Sequence, residues 1–544
     1  MKIVLCAIDA KFIHTNAALR MIRAACPFPC RLLEFTIKSA PSEIVDAIAS
    51  ERPDLVGFSV YLWNVDIVKT VAAALRARCR TTIVAGGPEI THDAASGLRD
   101  GTYDFIVRGE GERAFASLCE ALSTGSDWRG IPNLAWKDEA GVRMNPIMPI
   151  ADLGSLPSPY RSVDGDDSLP HRIQYLEWSR GCPFSCAYCL APLDGGVRFF
   201  PLERVKEDIV SLLEHGARTF KFLDRTFNLK PEAASELLDF IIDRHLPGTV
   251  FQFEITGDLL PAWLIQRLNE TAPAGLFRFE IGVQTTNDEA NLAVDRKQDT
   301  ARLFENVRML VEGGRVVIHL DLIAGLPKED VASFINTFDA TFGLLAPELQ
   351  LGFLKLLHGT PLRRDASRYG YEFTSDPPYE VIQNDCLSVA DLDRIRAVET
   401  CLDRFWNRGI ARPAIRMIQA AAPSMFLLFE RLYAAAIREG FDFMHASLID
   451  RFRLLDAFVS SEFPDSYAMI HDELVLDYLE AAVVKPKRWW PERMRKSPMM
   501  IRAHSADPSI SIDDYQKYGV VIRYRDGFAV VVYRPSGKKT VRFR

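Results

Sequence analysis

Short apolar runs alternate with amphipathic stretches from the first residues to LQLGFLKLLHG at 349–359, and no other feature of the chain constrains its fold as strongly. KIVLCAI, PDLVGFSVYL, TTIVAGG and YDFIVRGE have the length and content of buried strands, separated by helical patterns around 17–25, 41–50 and 64–79. This alternation predicts an α/β fold, a parallel sheet with helices on both faces and ligands at the carboxyl ends of the strands. Asp9 to Asn16 follow the first strand, Ser59 to Asn64 the second, Gly86 and Gly87 the third, and GEGE (109–112) the fourth. Glycine at such an end lets a large planar ligand come close to the backbone. Residues 151–170, rich in Pro, Ser, Gly and Asp, read as an irregular linker that closes a domain over 1–150.

A second series follows over 171–374. RIQYLEWSRG, TFKFLDRTFN, VFQFEITG, LFRFEIGVQT, VVIHLDLIAGLP and LQLGFLKLLHG supply six strands, and PLERVKEDIVSLLEHG is an amphipathic helix with a glycine stop. From 375 to 544 the character changes to long amphipathic helices such as DLDRIRAVETCLDRFWNRG, ending in a hairpin around Asp526-Gly527. Trp489 and Trp490 stand among basic residues, read as a solvated face with snorkelling cations rather than a base-stacking surface.

A length of 544 residues with 48% hydrophobic content supports several cores, and a net charge of -7 gives no general attraction to nucleic acid or anionic membrane. No apolar run reaches the roughly 18 residues of a membrane-spanning helix. The start MKIVLCAIDAKFIHTN reads as a strand and not as a signal peptide, so a cytoplasmic protein with reduced thiols is expected. Cys26 and Cys30 form a close pair without partners nearby and read as a loop feature.

SRGCPFSCAYCLAP (179–192) gathers Cys182, Cys186 and Cys189 into one turn. Three thiolates at these spacings can hold one metal centre, yet a structural zinc site asks for a fourth ligand and none follows in LDGGVRFFPLERVKED. A 4Fe-4S cluster with one open iron fits the set better than zinc or than free thiols. CxxxCxxC with Tyr188 before the last Cys resembles the cluster loop of radical S-adenosylmethionine (SAM) enzymes. The strand count after it resembles their partial (β/α)6 TIM-type barrel, whose chemistry sits at the carboxyl ends of strands. The resemblance implies that the open iron chelates SAM and that reductive cleavage gives a 5'-deoxyadenosyl radical. It assigns SAM contacts to Tyr188, Asp224, Asn228, Glu254, Glu280, Gln284 and Arg296, with adenine laid against Ile323 and Gly325. A sulfonium amino acid with a ribose needs such carboxylates, amides and an Arg.

Placed ahead of this loop, the first segment resembles the Rossmann-like cobalamin-binding domain of a large radical SAM subgroup. Ser59, Gly86 and Gly87 fall where that domain meets the cofactor's nucleotide tail. The other implied contacts are His14, Thr15, Asn16, Tyr61, Trp63, Asn64 and Glu110. The usual lower-ligand pattern, Asp-x-His-x-x-Gly, is absent: DAKFIHTN places Asp9 five residues before His14, so His14 is expected to hydrogen-bond the corrin or its own loop. The helical tail resembles a domain of unassigned function found on some of these proteins. The implied cofactors are a 4Fe-4S cluster, SAM and cobalamin. The implied reaction is methylation of an unactivated carbon of a small molecule through methylcobalamin and the radical, with cyclisation or rearrangement without net methylation as the alternative. A flavodoxin or ferredoxin is the implied reductant; no membrane or nucleic-acid partner is expected.

Overall fold

The computed structural model describes residues 1–161, 168–491 and 496–544. Part of the expected linker, 162–167, and 492–495 of the basic stretch lie outside the described residues. The chain divides into two compact units, one of 1–330 with 352–388 and one of 331–351 with 389–544.

In the first unit, β1 (Ile3–Asp9), β2 (Cys30–Thr36), β3 (Leu55–Ser59), β4 (Thr82–Gly86) and β5 (Phe105–Val107) are parallel, and β6 (Leu134–Asp138) with β7 (Gly141–Met144) adds an antiparallel edge. The order is β2-β1-β3-β4-β5-β6-β7. Every residue of β1 is buried, because apolar clusters cover both faces of the sheet, as a parallel sheet requires. The connecting helices are α1 (Ala17–Ala25), α2 (Pro41–Ser50), α3 (Val65–Arg78), α4 (Pro88–Thr91), α5 (Ala94–Arg99) and α6 (Glu112–Thr124). The sequence reading had passed over β2, β6, β7 and α6. β2 is half-buried except at the exposed Arg31 and also carries Glu34, so it lacks the apolar run of a central strand.

The second series forms β8 (Ile173–Leu176), β9 (Ser179–Arg180), β10 (Arg198–Phe199), β11 (Thr219–Phe222), β12 (Val250–Ile255), β13 (Phe277–Gln284), β14 (Val317–Ala324) and β15 (Glu348–Phe353). The six strands expected of a partial barrel stand in the order β15-β14-β13-β12-β11-β8. In β13, Phe277, Phe279, Ile281 and Val283 are buried while Arg278, Glu280, Gly282 and Gln284 are half-exposed toward the lumen, a period of two that follows from the pleat.

In the second unit, the helix Val331–Phe342 lays Phe338 against Phe426 at 5.6 Å and Phe342 against Trp406 at 4.9 Å between ring centroids. Helices follow up to Ile512–Tyr518, then β18 (Gly519–Tyr524), β19 (Gly527–Arg534) and β20 (Gly537–Phe543) in one antiparallel sheet, after the small pair β16 (Glu372–Phe373) and β17 (Val381–Gln383) of the first unit. The hairpin loop is Arg525-Asp526, one residue earlier than the Asp526-Gly527 signal, with Arg525 left-handed. Gly527 is needed in the strand instead, since a Cβ there would stand 2.6 Å from the Phe543 carbonyl oxygen. Trp489 packs on Phe452 and Tyr478 and donates to Asp456 at 3.2 Å, so this tryptophan belongs to an aromatic cluster and not to the solvated face expected of it. Among the described residues no single helix is long and apolar enough to cross a membrane.

Candidate functional site

The thiol loop leaves β8 and is clamped at its neck by the antiparallel pair β9–β10. Gly181 lies in that neck with φ +90°, and a Cβ on it would stand 2.8 Å from the Gly196 carbonyl oxygen, so the crossing admits only glycine. Cys186 is buried; Cys182 and Cys189 are half-buried. Ala191 N donates to Cys189 Sγ at 3.4 Å, Thr226 Oγ1 lies 4.0 Å from Cys182 Sγ, and Arg296 Nη1 lies 4.0 Å from Cys186 Sγ. Burial pushes the Cys189 thiol up, against the Ala191 amide and the Arg225 charge. Among the described residues no three His, Cys, Asp or Glu side chains close around a single ion. The three thiols of one loop, with no fourth protein ligand beside them in sequence, offer a 4Fe-4S cluster one thiolate for each of three irons.

Strand register lines the lumen with charge. Lys221 pairs beside Tyr175 and Gln252, Glu254 beside Glu280, and Glu280 beside His319. Lys221 Nζ lies 3.0 Å from Glu280 Oε2 and 3.7 Å from Glu254 Oε1, and Gln252 Nε2 donates to Glu280 at 2.6 Å. Burial opposes ionisation of both carboxylates. It raises Glu254, whereas the Lys221 ammonium and the Gln252 amide hold Glu280 below the ordinary range. Arg278 Nη2 stands 3.1 Å from His319 Nδ1, and His319 Nε2 stands 3.2 Å from Asp321. A guanidinium can only donate, so Nδ1 accepts and the ring's proton sits on Nε2, toward the carboxylate.

At the strand ends Gln284 adopts φ +65°, next to a register shift after Gly282, and its buried Oε1 has no hydrogen-bond partner. A Cβ on Gly282 would collide with Gln284 Nε2 at 2.3 Å. Arg296 joins the pieces: Nη1 donates to Tyr188 Oη at 3.3 Å and Nη2 to the Gly282 carbonyl at 2.5 Å. Asp224 is fully buried and accepts from Trp178 N at 2.9 Å and Ser179 Oγ at 2.6 Å, and burial pushes its carboxyl up to about 7. Asn228 exchanges two hydrogen bonds with the Thr256 backbone, at 2.8 and 2.9 Å. These two side chains therefore brace the strand ends from behind. Ile323 is half-buried on the lumen side of β14, and Gly325, at φ +100°, offers its carbonyl to Tyr371 Oη at 2.7 Å.

On the seven-stranded sheet, Asn16 caps α1, accepting from Leu19 N at 3.0 Å, and its amide donates to Ser59 Oγ at 3.0 Å. Asn64 is also buried and ties the ends of β1 and β3 through the Ile8 and Ser59 carbonyls at 2.9 and 3.0 Å. Tyr61 stacks on the exposed Trp63 with centroids 4.5 Å apart. Gly86 accepts from Val60 N at 2.7 Å, and Gly87, at φ +122°, leaves no room for a Cβ, which would stand 2.4 Å from the Val60 oxygen. Glu110 is spent on Arg198, at 2.8 and 3.0 Å, and on Ile150 N at 2.6 Å. His14 Nδ1 lies 2.7 Å from Tyr175 Oη, Thr15 Oγ1 donates to the Ile173 carbonyl at 2.8 Å, and burial lowers the His14 imidazole. Arg172, also buried, donates to Glu34 at 2.7 Å and to the Phe12 carbonyl at 3.0 Å. Lys221, Gln252, Arg278, His319 and Asp321 in the lumen, and Arg172, Glu34 and Tyr175 at this join, had escaped sequence reasoning. For Arg278, His319 and Asp321 the available signal was the polar residues at alternate positions within FRFEIGVQ and VIHLDLIA.

Residues 3–119 match the B12 binding domain family, 176–340 the radical SAM superfamily, and 367–507 a protein family of unknown function, DUF4080. An uncharacterized methyltransferase of Pyrococcus horikoshii, PH0819, is 34% identical over 207 residues, 36% of this chain and 45% of that one. The 2-(S-pantetheinyl)-carbapenam-3-carboxylate methyltransferase of Streptantibioticus cattleyicolor is 27% identical over 300 residues, 52% of this chain and 44% of that one. The chain thus spans less than half the length of these curated relatives. The structure of the radical SAM methyltransferase TsrM from Kitasatospora setae, with cobalamin and a 4Fe-4S cluster bound, shares the fold at TM-score 0.60 and 17% identity, covering 88% of this chain and 99% of that one. In their order along the chain, with the thiol loop at the first barrel strand, the three matches make this a radical SAM protein that carries a B12 binding domain before its barrel and a DUF4080 domain after it.

Proposed function

We propose that this protein is a cobalamin-dependent radical SAM enzyme that methylates an unactivated carbon of a small molecule. The observation that carries the reading is the join inside the first unit. The loop after β1 is fastened to β8, with Ile173 N donating to the Ile13 carbonyl at 2.7 Å beside the His14–Tyr175 and Thr15–Ile173 contacts. The strand-end residues of the seven-stranded sheet are thereby held on the barrel strand that leads into the thiol loop. Relatives named as methyltransferases support methyl transfer.

The residues fit the groups this family implies. Cys182, Cys186 and Cys189 supply thiolates to a cluster and leave one iron without a protein ligand. The orphaned Gln284 Oε1 provides an acceptor, and Glu254, Glu280 and Arg296 provide the charges for a SAM amino acid, with Tyr188 and the Ile323–Gly325 strip as its apolar walls. Asp224 and Asn228 hold the strand ends against which SAM would lie. Ser59 and the Gly86–Gly87 backbone offer cobalamin a close approach; Tyr61 and Trp63 offer aromatic surface, and Thr15, Asn16, Asn64 and Glu110 shape the loops around it. When bound, these groups supply one-electron cleavage of a sulfonium and a transferable methyl group. The chain's own part is to orient them, keep water out of the lumen and hold the proton of His319 on Nε2. His14, engaged by Tyr175, serves as a loop anchor. A flavodoxin or ferredoxin as electron source and a cytoplasmic setting complete the reading.

The test is anaerobic turnover of the reconstituted protein with methyl-labelled SAM, a low-potential reductant and a small-molecule extract. Label in a new product together with 5'-deoxyadenosine is expected. Formation of 5'-deoxyadenosine with substrate loss but no label in product would replace methylation with cyclisation or rearrangement.

A further inference from the structure

The fastening of the β1 loop to β8 has a counterpart beside β15, at the other edge of the six-stranded sheet. α4, the single turn that follows Gly86 and Gly87, carries Glu89, and Tyr379, between β16 and β17, donates its hydroxyl to Glu89 Oε1 at 2.5 Å across 290 positions of the chain. Both side chains are buried. Burial raises the Glu89 carboxyl, while the Tyr379 hydroxyl and the Arg363 charge oppose the rise. One turn of helix does not hold its own place. Thr91 ties α4 to its own sheet: its hydroxyl donates to the Gly87 carbonyl at 2.8 Å and accepts from Gly109 N at 3.2 Å, and its carbonyl accepts from Arg108 Nε at 3.0 Å. Glu89 ties the same turn to the barrel.

Tyr379 is fixed in its turn. Its carbonyl accepts from Leu356 N at 2.9 Å, just past β15, and its N–H donates to the Asp376 carbonyl at 3.0 Å. The Arg363 guanidinium lies 4.6 Å from the ring centroid, and the His358 ring meets it edge-on at 4.9 Å. Gly359, at φ +88°, passes so close to His92, the residue after α4, that a Cβ on it would stand 2.4 Å from the imidazole Cγ. Tyr379 is left-handed at φ +58°, a strained conformation for a bulky residue that persists only where its surroundings impose it, and such strain gathers at ligand clamps. The carboxylate it engages stands two residues after Gly87, whose own φ of +122° admits no Cβ.

We propose that Tyr379 is a positioning residue for cobalamin: from the barrel's last loop it holds, through Glu89, the Gly86–Gly87 turn on which the nucleotide tail of the cofactor would lie. The inference rests on the cobalamin reading above and adds to it a barrel residue on which the tail depends without touching it. A bond that only held the fold together would, once lost, weaken every corrinoid alike. A bond that holds the turn under the tail weakens only a corrinoid that has a tail.

The test measures binding of hydroxocobalamin and of cobinamide, a corrinoid without the nucleotide tail, to the full chain by anaerobic equilibrium dialysis with the cluster reconstituted. The parent is expected to hold cobalamin more tightly than cobinamide. Tyr379→Phe should weaken cobalamin about tenfold, the low end for a lost hydrogen bond to a charged group, and leave cobinamide unchanged. Glu89→Gln, whose amide oxygen still accepts from Tyr379, should bind both as the parent does. Glu89→Leu reads the same bond from its other end and should match Tyr379→Phe, and the double variant should be no weaker than either. Equal losses for both corrinoids, an unchanged cobalamin constant in Tyr379→Phe and Glu89→Leu, or additive losses in the double variant would overturn the positioning role. A parent that binds neither corrinoid would overturn the cobalamin reading itself and the inference with it; a parent that binds both equally would leave that reading standing and remove the tail from this turn.

Discussion

Cys186 shows how much one local motif can carry. Its two companions lie within four residues, so the loop was legible from spacing alone, and Cys186→Ala is expected to cost most of the cluster iron and all 5'-deoxyadenosine formation. Iron analysis alongside chromatography of the nucleoside products checks this; sustained 5'-deoxyadenosine would remove the cluster assignment. Gln284 belongs to a different kind of position, where side-chain type was readable but conformation was not. A left-handed glutamine stores about 1 kcal/mol of backbone strain. In Gln284→Gly that strain disappears with the amide, so unfolding should stay within about 1 kcal/mol of the parent while the SAM dissociation constant rises about tenfold, near 1.4 kcal/mol. Equilibrium dialysis with the reconstituted protein measures it, and an unchanged constant would place Gln284 outside the SAM site. The resemblance implied SAM contacts for Asp224 and Asn228, and their hydrogen bonds run to Trp178, Ser179 and Thr256. A sequence shows which polar groups a strand end has, but not how many of them the neighbouring backbone consumes.

Elements were readable where burial leaves a clean signature. The six barrel strands follow the apolar alternation, whereas β2 and the β6–β7 edge, half-wet and charged, do not resemble the central strands they adjoin. The hairpin at 519–534 was recognised and its turn misplaced by one residue, because Gly527 answers to the close passage of the Phe543 carbonyl and not to the turn. Between helices of the second unit, the Asp477 carboxylate accepts from Ala414 N at 2.9 Å, joining Tyr467–Ala481 to the start of Arg412–Ala421. Burial raises this carboxyl to about 8. Folded protein therefore keeps a proton that the unfolded chain releases near pH 4, and stability falls as pH rises between about 4 and 8. Asp477→Asn keeps the acceptor and lacks the titration. Its thermal midpoint should match the parent's near pH 3, below the unfolded carboxyl's range, and exceed it at pH 9; equal differences at both pH values would show that the carboxyl is not held protonated.

At the scale of the whole molecule, the cobalamin-binding fold and the barrel were foreseeable as a pair, but not the buried Arg172 that serves both. Its guanidinium reaches Glu34 together with the Phe12 carbonyl, and its side chain is 6% exposed. Without Arg172, Glu34 keeps only Arg20, at 3.3 Å, so the cost should lie below the roughly 3–5 kcal/mol of a fully stranded buried charge. Arg172→Met should accordingly lower the urea midpoint and reduce labelled product per 5'-deoxyadenosine; an unshifted midpoint would mean that the pair is not desolvated. The second unit had looked like a tail beginning near residue 375, yet it also takes in residues 331–351, made much earlier. Phe338 and Phe342 emerge from the ribosome long before Trp406, Phe426 and Phe429, the rings that cover them. At about 5–20 residues per second the delay is on the order of ten seconds. During synthesis this helix waits with its aromatic stripe bare, which makes it the stretch of the nascent chain that a chaperone would hold first.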